Sequence, residues 1–268
     1  MLITTSFLTR AFRLTRVALH LARGVTTAGL IFPWLDKAGR ADHGRRWAAG
    51  LLRMLAIRVQ LKGAPPPPGA AALLAANHVS WLDPFVINAV RPVRFIAKSE
   101  VRRWPVIGWL TAQAGTLFVV RSRRHHTAHV NQSVVGAMRD GETFAVFPEG
   151  TTTDGSVVLP FHASLLQPAF DSGAPLVPVA LRYLRADGSL CTEAAYDGDK
   201  TIFGTLRAMA ALPSIRAELQ FLAPLTGTDH QHRRELARAA EQAIASALRL
   251  ALPRRHAGTT AGLRAAAR

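Results

Sequence analysis

The stretch Asn77-His78-Val79-Ser80-Trp81-Leu82-Asp83-Pro84 sets a histidine and a carboxylate five positions apart, directly behind the apolar run 70–76. A neutral imidazole held by a carboxylate can take a proton from a hydroxyl, while the carboxylate selects the tautomer and stabilises the imidazolium that forms. On one continuous helix His78 and Asp83 would point about 140° apart, since each residue advances roughly 100°. They can meet only across a turn. Pro84 suits the first position of a helix and Asp83 its cap, which leaves His78 in the loop before it. The plainer alternative is that Asp83 only caps that helix and His78 is an ordinary hydrogen-bonded loop residue.

Three more stretches could do chemistry. Gly115-Thr116-Leu117-Phe118-Val119-Val120-Arg121 ends in an arginine that could clamp a phosphate or merely close an exposed strand. Phe147-Pro148-Glu149-Gly150-Thr151 follows an apolar run with a carboxylate and a glycine whose amide can approach a ligand closely. Val177-Pro178-Val179-Ala180-Leu181 puts a proline inside an apolar run, which suggests an edge strand or a bulge.

The elements that must position these residues follow from periodicity. The run 70–76 is too short for a helix and stops at an abrupt polar break, so it reads as a buried strand with His78 just beyond its C-terminal end, where open α/β sheets bind ligands. Segments 57–62, 93–97, 116–120, 143–147, 176–184 and 215–222 read as further strands, and 106–113, 127–139, 164–171 and 231–252 as helices. This alternation is that of an α/β layered fold. The prolines at 65–68 make a stiff surface turn, no internal repeat is present, and the arginine-bearing tail 253–268 reads as disordered.

With 268 residues the chain can hold one α/β domain and an appendage. Its one cysteine, Cys191, permits no internal disulfide, which suits a reducing compartment. Lysine and arginine number 33 against 17 acidic residues, a net charge of +16, and the lysines are only Lys37, Lys62, Lys98 and Lys200. So arginine-rich a chain suggests a phosphate-bearing partner, either nucleic acid or an anionic membrane. Nucleic acid is disfavoured, because the basic residues accompany apolar helices rather than interleaved aromatics.

The N-terminal region favours the membrane. Arg10, Arg13, Arg16 and Arg23 fall within an arc of roughly 140° at helical spacing, with Phe7, Leu8, Phe12, Leu19 and Val25 largely outside it. A second basic, apolar helix is expected over 44–55. The charge-free run 24–35 contains Pro33 and falls short of the roughly 20 residues a span needs. The expectation is an interfacial helical hairpin, at most a shallow or marginal span, without a cleaved signal peptide. The expected division is 1–54 hairpin, 55–252 domain and 253–268 tail.

Taken in order, the four blocks resemble those of the glycerolipid acyltransferase family, and most of all its bacterial 1-acylglycerol-3-phosphate acyltransferases. The family's His-four-residues-Asp block falls on His78 and Asp83, its Gly-x-x-Phe-x-x-Arg block on Gly115, Phe118 and Arg121, its Phe-Pro-Glu-Gly-Thr block on 147–151, and its proline-centred block on 177–181. The resemblance covers roughly residues 55–225. It implies a mixed β-sheet flanked by helices, and transfer of a fatty acyl chain to lysophosphatidic acid. His78 would be the general base and Asp83 its orienter, with Lys98 and the Gly150 amide as oxyanion donors. Gly115, Phe118, Arg121, Glu149 and Thr151 would shape the acceptor site. The co-substrate would be an acyl carrier protein or coenzyme A thioester, with no metal and no other cofactor. The implied location is the cytoplasmic face of the inner cell membrane.

One departure bears on the acceptor. Many phosphatidate-forming members continue the third block with Arg-Ser, whereas Thr152, Thr153 and Asp154 stand here. Arg121, Arg123, Arg124 or Arg182 would have to replace the missing cation, or the acceptor is another lyso-lipid such as lyso-ornithine lipid.

Overall fold

The computed structural model describes residues 4–104, 107–119, 124–226 and 232–252. In chain order these form helices α1 (Phe7–Leu30) and α2 (Lys37–Met54), strands β1 (Ile57–Lys62) and β2 (Ala72–Ala76), helix α3 (Asp83–Val90), strand β3 (Arg94–Lys98), helix α4 (Ile107–Gln113), strand β4 (Leu117–Val119), helix α5 (Arg124–Arg139) and strand β5 (Thr143–Val146). Helix α6 (Gln167–Ser172), strand β6 (Leu176–Arg185), helix α7 (Ile202–Ala210), strand β7 (Ile215–Phe221) and helix α8 (Arg233–Leu248) follow. The expected tail 253–268 lies outside the described residues.

The strands make one seven-stranded mixed sheet in the order β1-β7-β6-β2-β5-β3-β4, in which only β6 and β7 pair antiparallel. Side chains alternate across it. Leu74, Ala76, Val179, Leu181 and Tyr183 join Leu51 and Leu52 of α2, Val86 and Ile87 of α3, and Met209 of α7 in one core. Leu73, Ala75 and Ala180 join Val134 and Met138 of α5 and Leu236 and Ile244 of α8 in the other. Covered on both faces, β2 is apolar at every position and wholly buried, as a strand in the middle of such a sheet must be.

Pro178 overturns one expectation: β6 is an interior strand, between β2 and β7, not an edge. A residue's N–H and C=O in a strand point to the same side. Pro178's carbonyl oxygen accepts from Leu222 N at 3.0 Å, so its missing N–H faces the very end of the β7 ladder, which begins at Val179↔Phe221. Two helices also differ from expectation. Helix α2 begins at Lys37, well before residue 44, because the Asp36 carboxylate caps it by accepting from Gly39 N at 2.8 Å. Helix α7, not expected at all, starts where Thr201 Oγ1 accepts from Gly204 N at 3.0 Å.

Helix α1 packs through Val17, His20, Gly24 and Ala28. His20 stacks on Trp47 at 5.0 Å, its Nε2 lies 2.9 Å from the Trp47 carbonyl oxygen, and Trp47 Nε1 donates to the His20 carbonyl oxygen at 3.1 Å. Half of the expected arginine arc turns inward. Arg13 donates to the carbonyl oxygens of Ala210, Leu212 and Pro213, capping the end of α7, and Arg10 donates to Thr5 O. Phe7, Leu8, Phe12, Leu19 and Leu30 face outward instead, with Leu8 77% and the following Trp34 87% exposed. Val17 of α1, Leu51 and Leu52 of α2 and the following Leu55 lie in the same core as the sheet, so both helices pack on it. Among the described residues no helix is long and apolar enough to cross a membrane.

Candidate active site

At the C-terminal end of β2 the backbone pairing with β6 is continued by a side chain. Asn77 Oδ1 accepts from Leu181 N at 2.8 Å and its Nδ2 donates to Leu181 O at 2.9 Å, so the amide takes over the ladder just where the loop departs. The loop then turns back: Asp83 N donates to Ser80 O, and α3 starts at Asp83 with Pro84 second. Asp83 therefore does not cap this helix. Its Oδ2 instead accepts from Val79 N at 2.7 Å and Ser80 N at 2.9 Å, closing the loop that carries His78.

The same oxygen lies 2.8 Å from His78 Nδ1. A carboxylate only accepts, so Nδ1 carries a hydrogen, and in the neutral ring that tautomer leaves the lone pair on Nε2. Asp83 is fully buried while the His78 side chain is 21% exposed, which leaves the imidazole as the half of the dyad that a substrate can reach. The ring lies flat on Phe147, 4.0 Å between centroids and 14° between planes, and Phe147 in turn stacks on Phe95 of β3.

Glu149 braces this arrangement from behind. It is 4% exposed, its Oε1 accepts from His78 N at 2.8 Å and its Oε2 from Leu159 N at 2.9 Å. Burial pushes its carboxyl up to about 7, against the pull of those two amides. Both of its oxygens are thus turned to backbone amides, one of them that of His78. Thr153 N donates to His78 O at 2.9 Å and Tyr196 N to Val79 O at 2.8 Å, so segments after β5 and β6 both clamp the loop.

The other expected residues are distributed unevenly. Lys98 ends β3, exposed, on the same edge of the sheet as His78, with β5 between their strands. Gly150 adopts φ +76° and its amide donates to Phe147 O at 3.1 Å, so a ligand could use it only by sharing or displacing that bond. Thr151 is exposed beside it. Phe118 lies in β4 opposite Ala97, with the Arg102 guanidinium 5.8 Å from its ring. Gly115 is not at the site. It precedes β4, at the opposite end of the parallel strands, where φ +79° and a bond from Arg94 Nε to its carbonyl oxygen make it a turn residue. Arg121 and Arg123 lie outside the described residues. Arg182 is excluded as a replacement cation: it projects from the sheet face opposite to Tyr183 and is bound to Glu218 at 2.7–2.8 Å. The Thr152 hydroxyl donates to Tyr196 O.

The sequence assigns no role to Asn77 and Phe147, although both stand in the blocks quoted above, and gives no sign of Tyr183, whose hydroxyl donates to Asp83 Oδ1 at 2.7 Å. Asn77 sits in the opening stretch itself, and a polar amide between an apolar strand and a histidine was the available signal.

Three comparisons bear on this geometry. A family model described as Acyltransferase matches residues 58–182. A 1-acyl-sn-glycerol-3-phosphate acyltransferase of Neisseria meningitidis serogroup B is 34% identical over 242 residues, 89% of this chain and 93% of the relative. A lyso-ornithine lipid O-acyltransferase of Pseudomonas aeruginosa is 38% identical over 207 residues, 76% of this chain and 77% of the relative. In fold, the chain is similar to the crystal structure of the 1-acyl-sn-glycerophosphate (LPA) acyltransferase from Thermotoga maritima, with TM-score 0.68 at 19% identity over 90% of this chain and 94% of that one. With the four sequence blocks spanned by the family match and a relative of 34% identity covered over 93% of its length, the chain belongs to the glycerolipid acyltransferase family and is an acyltransferase.

Proposed function

We propose that the protein transfers a fatty acyl chain from a thioester donor to the free hydroxyl of lysophosphatidic acid, yielding phosphatidic acid for phospholipid synthesis. The observation that carries this reading is the 2.8 Å bond from His78 Nδ1 to a fully buried Asp83, which leaves Nε2 as a base at the reachable edge of the ring. Nε2 takes the hydroxyl proton as the acceptor oxygen attacks the thioester carbonyl. The C–S bond then breaks, the ester C–O bond remains, and the imidazolium returns its proton to the departing sulfur. The acyl group passes directly, without an enzyme ester. Cys191, the one thiol, is buried and pushed up to about 12 by burial and by Glu193, so it holds no thiolate to act as nucleophile.

Lys98 at the end of β3, with the Gly150 amide, would meet the oxyanion, and Arg121 the acceptor's phosphate. The donor is an acyl carrier protein or coenzyme A thioester. The outward apolar face of α1, flanked by Arg16 and Arg23, would rest on the anionic cytoplasmic face of the inner membrane, where the acceptor resides.

A second reading has its own support. Thr152 stands where the resemblance to phosphatidate-forming members implies an arginine, its hydroxyl is engaged with Tyr196 O, and Arg182 faces away, all of which favours a zwitterionic acceptor such as lyso-ornithine lipid. Offering the purified protein a labelled acyl thioester and both lyso-lipids in competition decides between them. Turnover of lysophosphatidic acid supports the first reading, and turnover of the other acceptor alone replaces it with the second. No transfer to any lyso-lipid would refute both.

A further inference from the structure

The two oxygens of the Asp83 carboxylate are held differently. Oδ2 takes three N–H donors, all from residues 78–80 of its own loop. Oδ1 takes the Tyr183 hydroxyl at 2.7 Å, from β6 and a hundred positions away in the chain. The local donors travel with the loop, so they set the dyad's internal geometry but not its place on the sheet. Tyr183 does the second. It is 0% exposed, it pairs with Ala217 of β7, and its carbonyl oxygen accepts from Cys191 N at 2.9 Å, so it presents its phenol from a rigid base.

We propose that Tyr183 is a positioning residue for acyl transfer: its hydroxyl locks the Asp83 carboxylate with Oδ2 toward His78 Nδ1 and, by donating to Oδ1, draws negative charge away from the oxygen that meets the ring. A carboxylate stripped of this donor would carry more negative charge on Oδ2 and hold an imidazolium more tightly. That matters at the second half of the reaction, when the imidazolium must give its proton to the leaving sulfur. Burial and the neighbouring Asp83 charge push the Tyr183 phenol well above its usual range, so it remains a donor at every working pH. The other titratable groups facing the cluster are Glu149 after β5, with Glu241 of α8 behind it, and Cys191 and Glu193 after β6.

This inference rests on His78 being the general base, and the experiment separates the two. In Tyr183→Phe, the acid limb of the kcat/KM profile and the His78 ring titration followed by NMR should both move to higher pH. The ring signal distinguishes His78 from Glu149. The kcat should fall on the order of tenfold to a hundredfold, by analogy with outer hydrogen bonds that orient metal-bound histidines, with KM for the lyso-lipid little changed. A purely structural role would lower the melting temperature and leave the limb in place. Should Tyr183→Phe fail to fold, 3-fluorotyrosine decides, because the chain has only two tyrosines. Incorporated in a Tyr196→Phe background, with that variant as reference, it strengthens the phenol as a donor and should move the limb to lower pH. An unmoved limb in the folded Phe variant, or in the fluorinated protein where the Phe variant does not fold, overturns the proposal even if His78→Ala is inactive. An active His78→Ala would instead overturn the underlying reading of the base.

Discussion

His78 and Asp83 are unequal partners, and the inequality dictates how they should be tested. Asp83 accepts four hydrogen bonds in a fully buried place, so Asp83→Ala strands four donors and costs stability as well as rate. The His78 ring is partly exposed and its backbone, not its side chain, carries the bonds to Glu149 and Thr153. His78→Ala should therefore fold normally and lose about 10²- to 10⁴-fold in turnover, the usual worth of general acid-base assistance. A melting curve and a steady-state assay on the same preparation check both halves, and near-native turnover would remove the dyad from the mechanism.

At the scale of elements, the contact between α1 and α2 depends on two residues without side chains. A Cβ on Gly50 would lie 2.7 Å from His20 Cε1, and one on Gly24 would run into the Trp47 ring. Gly50→Ala should then force the helices apart and cost roughly 1–3 kcal/mol, the range for overpacking a well-filled contact, read as a lowered denaturant midpoint. The outward side of α1 makes the opposite forecast. Leu8→Asp combined with Leu19→Asp alters exposed residues only, so the melting temperature should hold while co-sedimentation with anionic vesicles falls sharply. Undiminished vesicle binding would move the membrane contact off this face. Deleting residues 1–54 could not ask the same question, since it removes Leu51 and Leu52 from the core and the Arg13 cap from α7.

Across the whole molecule, the buried Glu149 links stability to pH. Its carboxyl is pushed up to about 7 in the folded chain from an ordinary 4.5, so between those values the folded protein keeps a proton that the unfolded chain has released. Stability must fall as pH rises through that window, because the folded state binds more protons there. Below it both states are protonated and the effect vanishes. Urea midpoints measured from pH 4.5 to 7.5 should decline more steeply for the natural protein than for Glu149→Gln, which cannot ionise. Parallel declines would mean that the two backbone amides hold the carboxylate ionised throughout.

The α/β layering, the strand ending at Ala76 and the dyad's two residues were legible in the chain itself, because periodicity and burial act locally and a wholly apolar five-residue strand has few other places to go. So was the need for a turn between His78 and Asp83, which helix geometry alone imposes. What depends on partners distant in sequence was not legible. Tyr183 reaches Asp83 only because β6 lies beside β2, Asn77 completes a ladder whose other strand is about a hundred residues on, and Gly115 leaves the site because it precedes rather than follows its strand. The inward turn of Arg13 has the same origin: α1 was amphipathic on paper, but which side met the protein depended on where α7 ended with open carbonyls. Local pattern determines which elements form, and the packing of elements far apart in the chain decides which of their faces meet.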